Sequence, residues 1–428
     1  MQELASSSRK VLFFLGFLSI ANAFYFSLGV NLRLFDIMFI IAPLYGVYKL
    51  KNGIIRYNSS INTPKNYIIF IFFYLSLSGL FSFGGYNDLY QDQFIKYWVH
   101  KVAWLLVYIM LYFIYGQDIV IYYLYGLTAM CFIHVSLVLL EYITIVRTGS
   151  TIDFSFLNTF FIQVEEKKYD VFNQGFIRPT GVTLDPNYAT GYAGIGFLFC
   201  EYLKTQSGSK WYFTLFQFAA LLIMILLFSR TGMFSILITF IISVFFSKVY
   251  KKRKIKTIAP KIFLIILCAA VAILSYIGII NEDFYKTAIN RLSLSDGSSL
   301  MRSGYIVDYL ENANIIELLF GVGTSDAGQR LTELLHMNTG VVWSPESNFI
   351  TFFIEQGIVF LIFFFFFLAK IFFKLLKKEP IFAYIFLYIN VMGVGYNFLG
   401  DRVYFFLLVI LSMYAYDNSK SVPVYALY

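Results

Sequence analysis

Arg291-Leu-Ser-Leu-Ser-Asp-Gly-Ser-Ser-Leu-Met-Arg302 opens the stretch on which the reading of this chain turns, and Pro345-Glu346-Ser347-Asn348 through Glu355-Gln-Gly357 closes it. One apolar segment gives out at Asn281 and the next begins at Ser347. The residues between are polar by the standards of this chain, and nearly everything else reads as membrane-spanning helix. A hydrophilic excursion of that size leaves room for chemistry on a water-soluble group. A solvated linker is the plain alternative. The partly amphipathic pattern over Met301, Tyr305, Asp308 and Leu310, the glycine turns and the clustered ionisable residues argue against it.

Composition sets the class. Of 428 residues 59% are hydrophobic and 14% charged, which excludes an ordinary soluble protein. Cys131, Cys200 and Cys268 fall inside expected spans, so neither a disulfide framework nor a thiolate metal site is expected. His100, His134 and His336 are too dispersed for a histidine metal centre. The reading therefore carries no metal and no cofactor. The net charge of +8 calls for no nucleic-acid partner, because membrane topology accounts for it. At the N-terminus, Arg9-Lys10, an apolar run and Ala21-Asn22-Ala23 imitate a signal peptide, but the apolar character continues to Val30 and predicts an uncleaved first span.

Apolar runs of about 17–25 residues predict an all-α polytopic membrane protein with about twelve transmembrane helices. They lie near 11–30, 34–48, 67–84, 94–115, 119–143, 187–203, 211–228, 231–247, 262–280, 347–369, 381–398 and 403–416. With the N-terminus inside, lysine-rich loops collect on the cytoplasmic side, including the basic run Lys248 to Lys261 and Lys370, Lys374, Lys377 and Lys378. Two long segments face outward, 147–186 and 281–346. Of the 31 basic residues in loops, the 20 inside are 17 lysines and 3 arginines, whereas the 11 outside are 8 arginines and 3 lysines. Lysine suits attraction to an anionic leaflet, and the rigid arginine fork suits phosphate or carboxylate. Some outer arginines are expected to pair with acids, as Arg33 with Asp36 one turn away.

The outer segments hold the candidate motifs. Arg178-Pro-Thr-Gly-Val-Thr-Leu-Asp185-Pro-Asn187 is a structured turn feeding the sixth span. Asp185 or Asn187 is placed to cap that helix, with Pro186 in its first turn, and a catalytic carboxylate at Asp185 is the other reading. Ser229-Arg230-Thr231 makes a tight hairpin between the seventh and eighth spans, and Gly400-Asp401-Arg402 another between the last two. Gly321-Val322-Gly323 follows no strand and is read as a turn rather than a nucleotide loop. His336 is either a general base or an incidental loop histidine.

In order and topology these motifs resemble the O-antigen polymerase and O-antigen ligase superfamily of bacterial envelope polysaccharide synthesis. The resemblance covers residues 178 to 357 and rests on Arg178-Pro-Thr-Gly with Asp185-Pro-Asn187, then Ser229-Arg230-Thr231-Gly232. Arg302 with Leu319-Phe-Gly-Val-Gly323 follows, and Glu346-Ser347 with Glu355-Gln-Gly357 completes it. Ligases of the superfamily typically place a histidine where Glu346 stands, which favours a polymerase. The resemblance implies a GT-C-like fold and an inverting, metal-free glycosyltransferase in a bacterial inner (cytoplasmic) membrane. Its active site would face the periplasm or exterior. Undecaprenyl-diphosphate-linked oligosaccharide and the lipid bilayer are the implied partners, with a chain-length regulator as a further candidate. Arg178, Arg230 and Arg302, then Arg291 and Arg402, would bind diphosphate. Glu346, or else Asp185 or His336, would be the base. A surface-polymer ligase and a lipid-linked oligosaccharide flippase are the alternatives.

This topology predicts that a cysteine at Thr183 or Thr324 reacts with a membrane-impermeant thiol reagent added to intact cells and that one at Thr257 does not. Labelling at Thr257 would reverse the orientation.

Overall fold

A computed structural model describes residues 2–21, 24–27, 31–52, 91–148, 152, 162–164, 178–183, 185–208, 210–227, 229–250, 297–323, 327–334, 347–395 and 402–417. The helices are α1 (Gln2–Ser19), α2 (Leu34–Lys51), α3 (Gln91–Tyr115), α4 (Asp118–Thr148), α5 (Pro186–Ser207), α6 (Trp211–Leu226) and α7 (Arg230–Tyr250). The polar excursion contributes α8 (Gly297–Asn312), α9 (Ile315–Phe320) and α10 (Ala327–Leu334). Three more close the chain: α11 (Asn348–Lys378), α12 (Pro380–Gly395) and α13 (Arg402–Tyr416). Two stretches, Asp118–Ile145 and Asn348–Lys378, are long and apolar enough to cross a bilayer, and further apolar helices are shorter. The expected spans 67–84 and 262–280 lie outside the described residues.

The first expected span is corrected. Helix α1 stops at Ser19, and Phe24–Ser27 is instead strand β1, the middle of a small antiparallel sheet. Its neighbours are β2 (Asn31–Arg33), which opposes Leu32 to Phe26, and β3 (Ile162–Val164), which opposes Gln163 to Tyr25. A short aromatic run such as Phe-Tyr-Phe suits a pleated ladder as well as a helix, so apolarity alone could not separate the two. Between α1 and α4 the packing is close, because a methyl group at Gly16 would overlap the Tyr123 carbonyl and one at Gly126 the Phe13 carbonyl. Small residues at a crossing let two backbones approach in this way.

Helix α12 is the centre of the bundle, buried along nearly its whole length. Tyr388 Oη donates to the Thr190 carbonyl of α5 at 3.0 Å, and Tyr404 Oη of α13 donates to Asn390 Oδ1 at 2.9 Å. Phe39 of α2 packs edge-on against Trp104 and Phe406, with ring centres 5.3 and 4.9 Å away. These contacts sort the helix termini into two ends. At one, Arg9 pairs with Asp118 at 3.8 Å, and Lys378 Nζ donates to the Tyr414 carbonyl at 2.8 Å. The ends of α5, α7, α11 and α12 that carry the motifs meet at the other.

Two sequence expectations change near α11. Lys370, Lys374, Lys377 and Lys378 were expected in a loop, but the helix continues through Lys378, and only Glu379 separates it from α12. Within α11, Gly357 takes φ 77°, ψ 175°, a conformation essentially confined to glycine, and breaks the helix into Asn348–Gln356 and a second run. The break strands carbonyl groups. Val322 N–H and Gly323 N–H answer it by donating to the Ile354 and Glu355 carbonyls at 2.9 and 3.0 Å. Gly321, at φ 82°, ψ 176°, makes the reciprocal fit. A methyl group there would overlap the Glu355 carbonyl, and one at Gly357 would overlap the Leu319 carbonyl. The Gly321-Val322-Gly323 turn expected from sequence is thus the cap of the first half of α11.

Thr183 is fully buried, so a cysteine there is hidden from any reagent; Thr324 and Thr257 lie outside the described residues. The exposed Thr148 and Asn52, at opposite ends, serve the same topological test. For the break itself, Gly357→Ala and Gly321→Ala are each expected to lower stability by at least about 1–3 kcal/mol from backbone strain alone, before the overlap is counted. Thermal unfolding in detergent measures this. A melting point unchanged in both variants would remove the interlock.

Candidate functional site

The turn at 178–183 has no regular structure of its own and is buried, so its backbone must be satisfied by neighbours. Helix α4 supplies them from one face, where His134, Val138 and Glu141 fall at i, i+4 and i+7. The Glu141 carboxylate, 1% exposed, accepts Thr180 N–H at 3.1 Å and Gly181 N–H at 2.8 Å through one oxygen. His134 Nδ1 accepts Val182 N–H at 3.4 Å. Within the turn, Thr183 Oγ1 donates to the Thr180 carbonyl at 2.7 Å. Arg178 is 2% exposed, and its Nε donates to the carbonyl of Leu227, the residue that ends α6, at 2.7 Å. A guanidinium at a helix C-terminus meets stranded carbonyls and the negative end of the helix dipole.

Asp185 is the N-cap of α5, its Oδ1 accepting Asn187 N–H at 2.6 Å, with Pro186 in the first turn. This is the capping arrangement expected from the Asp185-Pro-Asn187 spacing. The side chain of Asn187 turns to the next motif, where its Oδ1 accepts from Ser229 Oγ at 3.2 Å. Thr190 Oγ1 lies 2.9 Å from both Ser229 Oγ and the Asn187 carbonyl, and Ser229 Oγ accepts Gly232 N–H at 3.2 Å. The expected hairpin is therefore present, with Ser229 between α6 and α7 and half-buried Arg230 as the first residue of α7.

The hairpin in turn meets the ends of α12 and α11. Thr231 Oγ1 donates to the Gly395 carbonyl at 3.4 Å, and Ser347 Oγ lies 3.4 Å from the Gly393 carbonyl. Ser347 is the N-cap of α11, and Asn348 beside it is fully buried against Gly393. One end of the bundle thus gathers Arg178-Pro-Thr-Gly, Asp185-Pro-Asn187, Ser229-Arg-Thr-Gly232 and Ser347. The Gly321-Val322-Gly323 turn is tied to the same helix through the break at Gly357. Among the described residues no group of three or more His, Cys, Asp or Glu converges as metal ligands.

The candidates chosen from sequence fare differently. Asp185 and Arg178 are engaged with backbone as described. Arg302 sits on α8 and Arg402 begins α13, and for these two only the backbone position is described. Arg291, His336 and Glu346 lie outside the described residues. Two further contacts of ionisable residues also resolve. Arg330, not singled out before, pairs with Glu317 at 3.1 Å. Asp36 accepts the backbone N–H of Arg33 at 3.1 Å, which makes a helix cap between the two residues expected to pair.

Glu141 and His134 are the residues that sequence reasoning passed over. The signal was available: an ionisable residue inside an apolar run is expensive and marks a specific partner. What the sequence lacked was the identity of that partner, some forty residues away across two elements. No protein-family model matches the chain, and no curated protein matches it either.

Removing the Glu141 carboxylate would leave two buried N–H groups unanswered, each worth about 1–3 kcal/mol. Glu141→Ala is expected to unfold at a markedly lower temperature than the parent, while Glu141→Gln, which keeps one carbonyl oxygen, is expected to retain much of the difference. Equal melting points for the parent and Glu141→Ala would show that the turn is held by other contacts.

Proposed function

We propose that this chain is a polysaccharide polymerase of the O-antigen or capsule kind, resident in a bacterial cytoplasmic membrane with its motif-bearing end outward and a GT-C-like architecture. It transfers a growing glycan from undecaprenyl diphosphate to a hydroxyl of the next lipid-linked repeat unit. The observation that carries the reading is the convergence of separate short motifs on one end of the bundle. They are spread over residues 178 to 347, yet hydrogen bonds from Ser229 to Asn187, Thr231 to Gly395 and Ser347 to Gly393 join them in series.

Electrostatics supports an anion there. Arg230 and Arg402 each begin a helix, α7 and α13. A cation at a helix N-terminus is opposed by the dipole, and the same N-terminal N–H groups attract anions. A diphosphate would reconcile both. In the reaction the acceptor oxygen bonds to the anomeric carbon, the bond from that carbon to the diphosphate oxygen breaks, and the lipid diphosphate leaves with the electron pair. Arg230, with Arg302, Arg291 and Arg402, would neutralise that leaving charge. The proton of the acceptor hydroxyl passes to Glu346, which directly precedes the N-cap Ser347 of α11. Asp185 is less suited to be the base, because its carboxylate already accepts Asn187 N–H. Arg178, buried and bonded to the Leu227 carbonyl, holds the turn in place rather than meeting substrate.

Purified protein supplied with a lipid-linked repeat unit tests the proposal. Polymer is expected from the protein alone. Glu346→Gln is expected to slow its formation by about 10²–10⁴-fold at unchanged melting temperature. Arg230→Lys should lose most activity despite keeping its charge, because lysine lacks the bidentate fork. Arg178→Lys should lower the melting temperature instead. Absence of polymer with a folded parent, or Glu346→Gln within a few-fold of the parent, would overturn the respective assignment.

A further inference from the structure

Helix α9 presents an unusual surface for a segment read as a water-facing loop. Ile315, Ile316, Leu319 and Phe320 are 73%, 59%, 38% and 37% exposed, while Glu317 between them turns inward to Arg330. On the preceding helix Val307 and Leu310 are also exposed. A solvated segment would bury such residues or replace them by polar ones, so an apolar strip of this kind marks a surface with a partner.

The height of the strip is fixed by backbone contacts. The Leu319 carbonyl lies so close to Gly357 that no side chain fits between them, and the next turn is bonded to the Ile354 and Glu355 carbonyls. Helix α9 therefore rides level with the break in α11. That level is where the lipid-facing surface of α11 starts. No residue from Asn348 to Gly357 is exposed, whereas Ile358, Ile362, Phe363, Phe365 and Phe366 beyond the break all are. The apolar strip of α9 thus lies at the level where the exposed apolar belt of α11 begins.

We infer that α9 is an interfacial element, its Ile315–Phe320 strip lying in the headgroup and upper acyl region of the bilayer, so that the chain at α9 dips into the membrane instead of standing in water. The charged and polar groups agree with a position at the boundary: Asp308, Glu311, Asn312 and Asn314 flank the strip, while its own acid, Glu317, is neutralised by Arg330. The inference rests on α11 crossing the membrane and not on the glycosyl-transfer reaction.

Spin labels on single cysteines in the full-length protein, reconstituted in phosphatidylcholine vesicles, test it by power saturation with oxygen and a water-soluble nickel chelate. Native Cys131 and Cys200 are buried, and Cys268 is replaced by serine. Phe363→Cys provides the lipid reference and Asn52→Cys the aqueous one. Labels at Ile316 and Leu319 are expected to show a several-fold higher ratio of oxygen to nickel accessibility than Asn52, approaching that of Phe363. A ratio at Ile316 and Leu319 equal to that at Asn52, with Phe363 lipid-like, overturns the inference alone. Low accessibility to both reagents would mean that protein covers the strip, which also overturns it. An aqueous ratio at Phe363 overturns the membrane reading of α11 and the inference with it.

Discussion

A backbone N–H or C=O stranded in an apolar interior is the constraint that the irregular parts of this molecule answer. Regular helix satisfies itself, so the demand concentrates at ends and breaks. Several of these, among the described residues, are met by a specific group. Glu141 receives the amides of the 180–181 turn, Arg178 covers the Leu227 carbonyl, and Lys378 covers the carbonyls of Tyr414 and Asp417. Where no side chain serves, another stretch of backbone does, as when Val322 and Gly323 close the broken first half of α11. Several charged residues of the interior are therefore capping devices before they are anything else.

That priority bears on how charge is read in such a chain. The arginines expected on the outer side are not one population, and their contacts divide them. Arg178 and Arg330 are engaged, one with a helix C-terminus and the other with Glu317. Arg33 contributes its backbone to a cap. Arg230 stands at a helix start, where neither the dipole nor the local N–H groups favour a cation. Position relative to helix ends, more than number, separates a structural arginine from one suited to an anionic ligand.

Local signals carried as far as local physics does. Among the described residues the apolar runs located most of the long helices, the Asp185-Pro-Asn187 spacing its cap, Ser229-Arg230-Thr231 its hairpin and the paired glycines their turn, because each depends on residues within a few positions. Phe24–Ser27 escaped because its strand is specified by partners at 31–33 and 162–164 rather than by its own composition. The lysines after residue 369 escaped because long basic side chains tolerate the end of a helix as readily as a loop. Glu141 could be seen as anomalous, but the amides it answers belong to a turn whose depth no local pattern encodes. Of the candidate site, the motif residues were legible one by one, and their meeting was not.

Their meeting follows from the architecture. Helices α5 and α7 start, and α6 and α12 end, at the same end of the bundle, so short motifs at helix termini, spread from residue 178 to residue 347, are brought to one level. The Asn187, Thr190 and Ser229 side chains then fix α5 against α7, and Thr231 fixes α7 against the end of α12. Arg230 inherits its position from this network, since both of its chain neighbours are tied to other helices. A long flexible side chain loses conformational entropy when it binds a ligand, and anchoring the backbone on either side reduces what remains to be ordered. The same reasoning places Glu346 next to a residue fixed on both sides, Ser347, which caps α11 and reaches the Gly393 carbonyl. Rigidity at the helix ends thus fixes the backbone beside each residue of the proposed site.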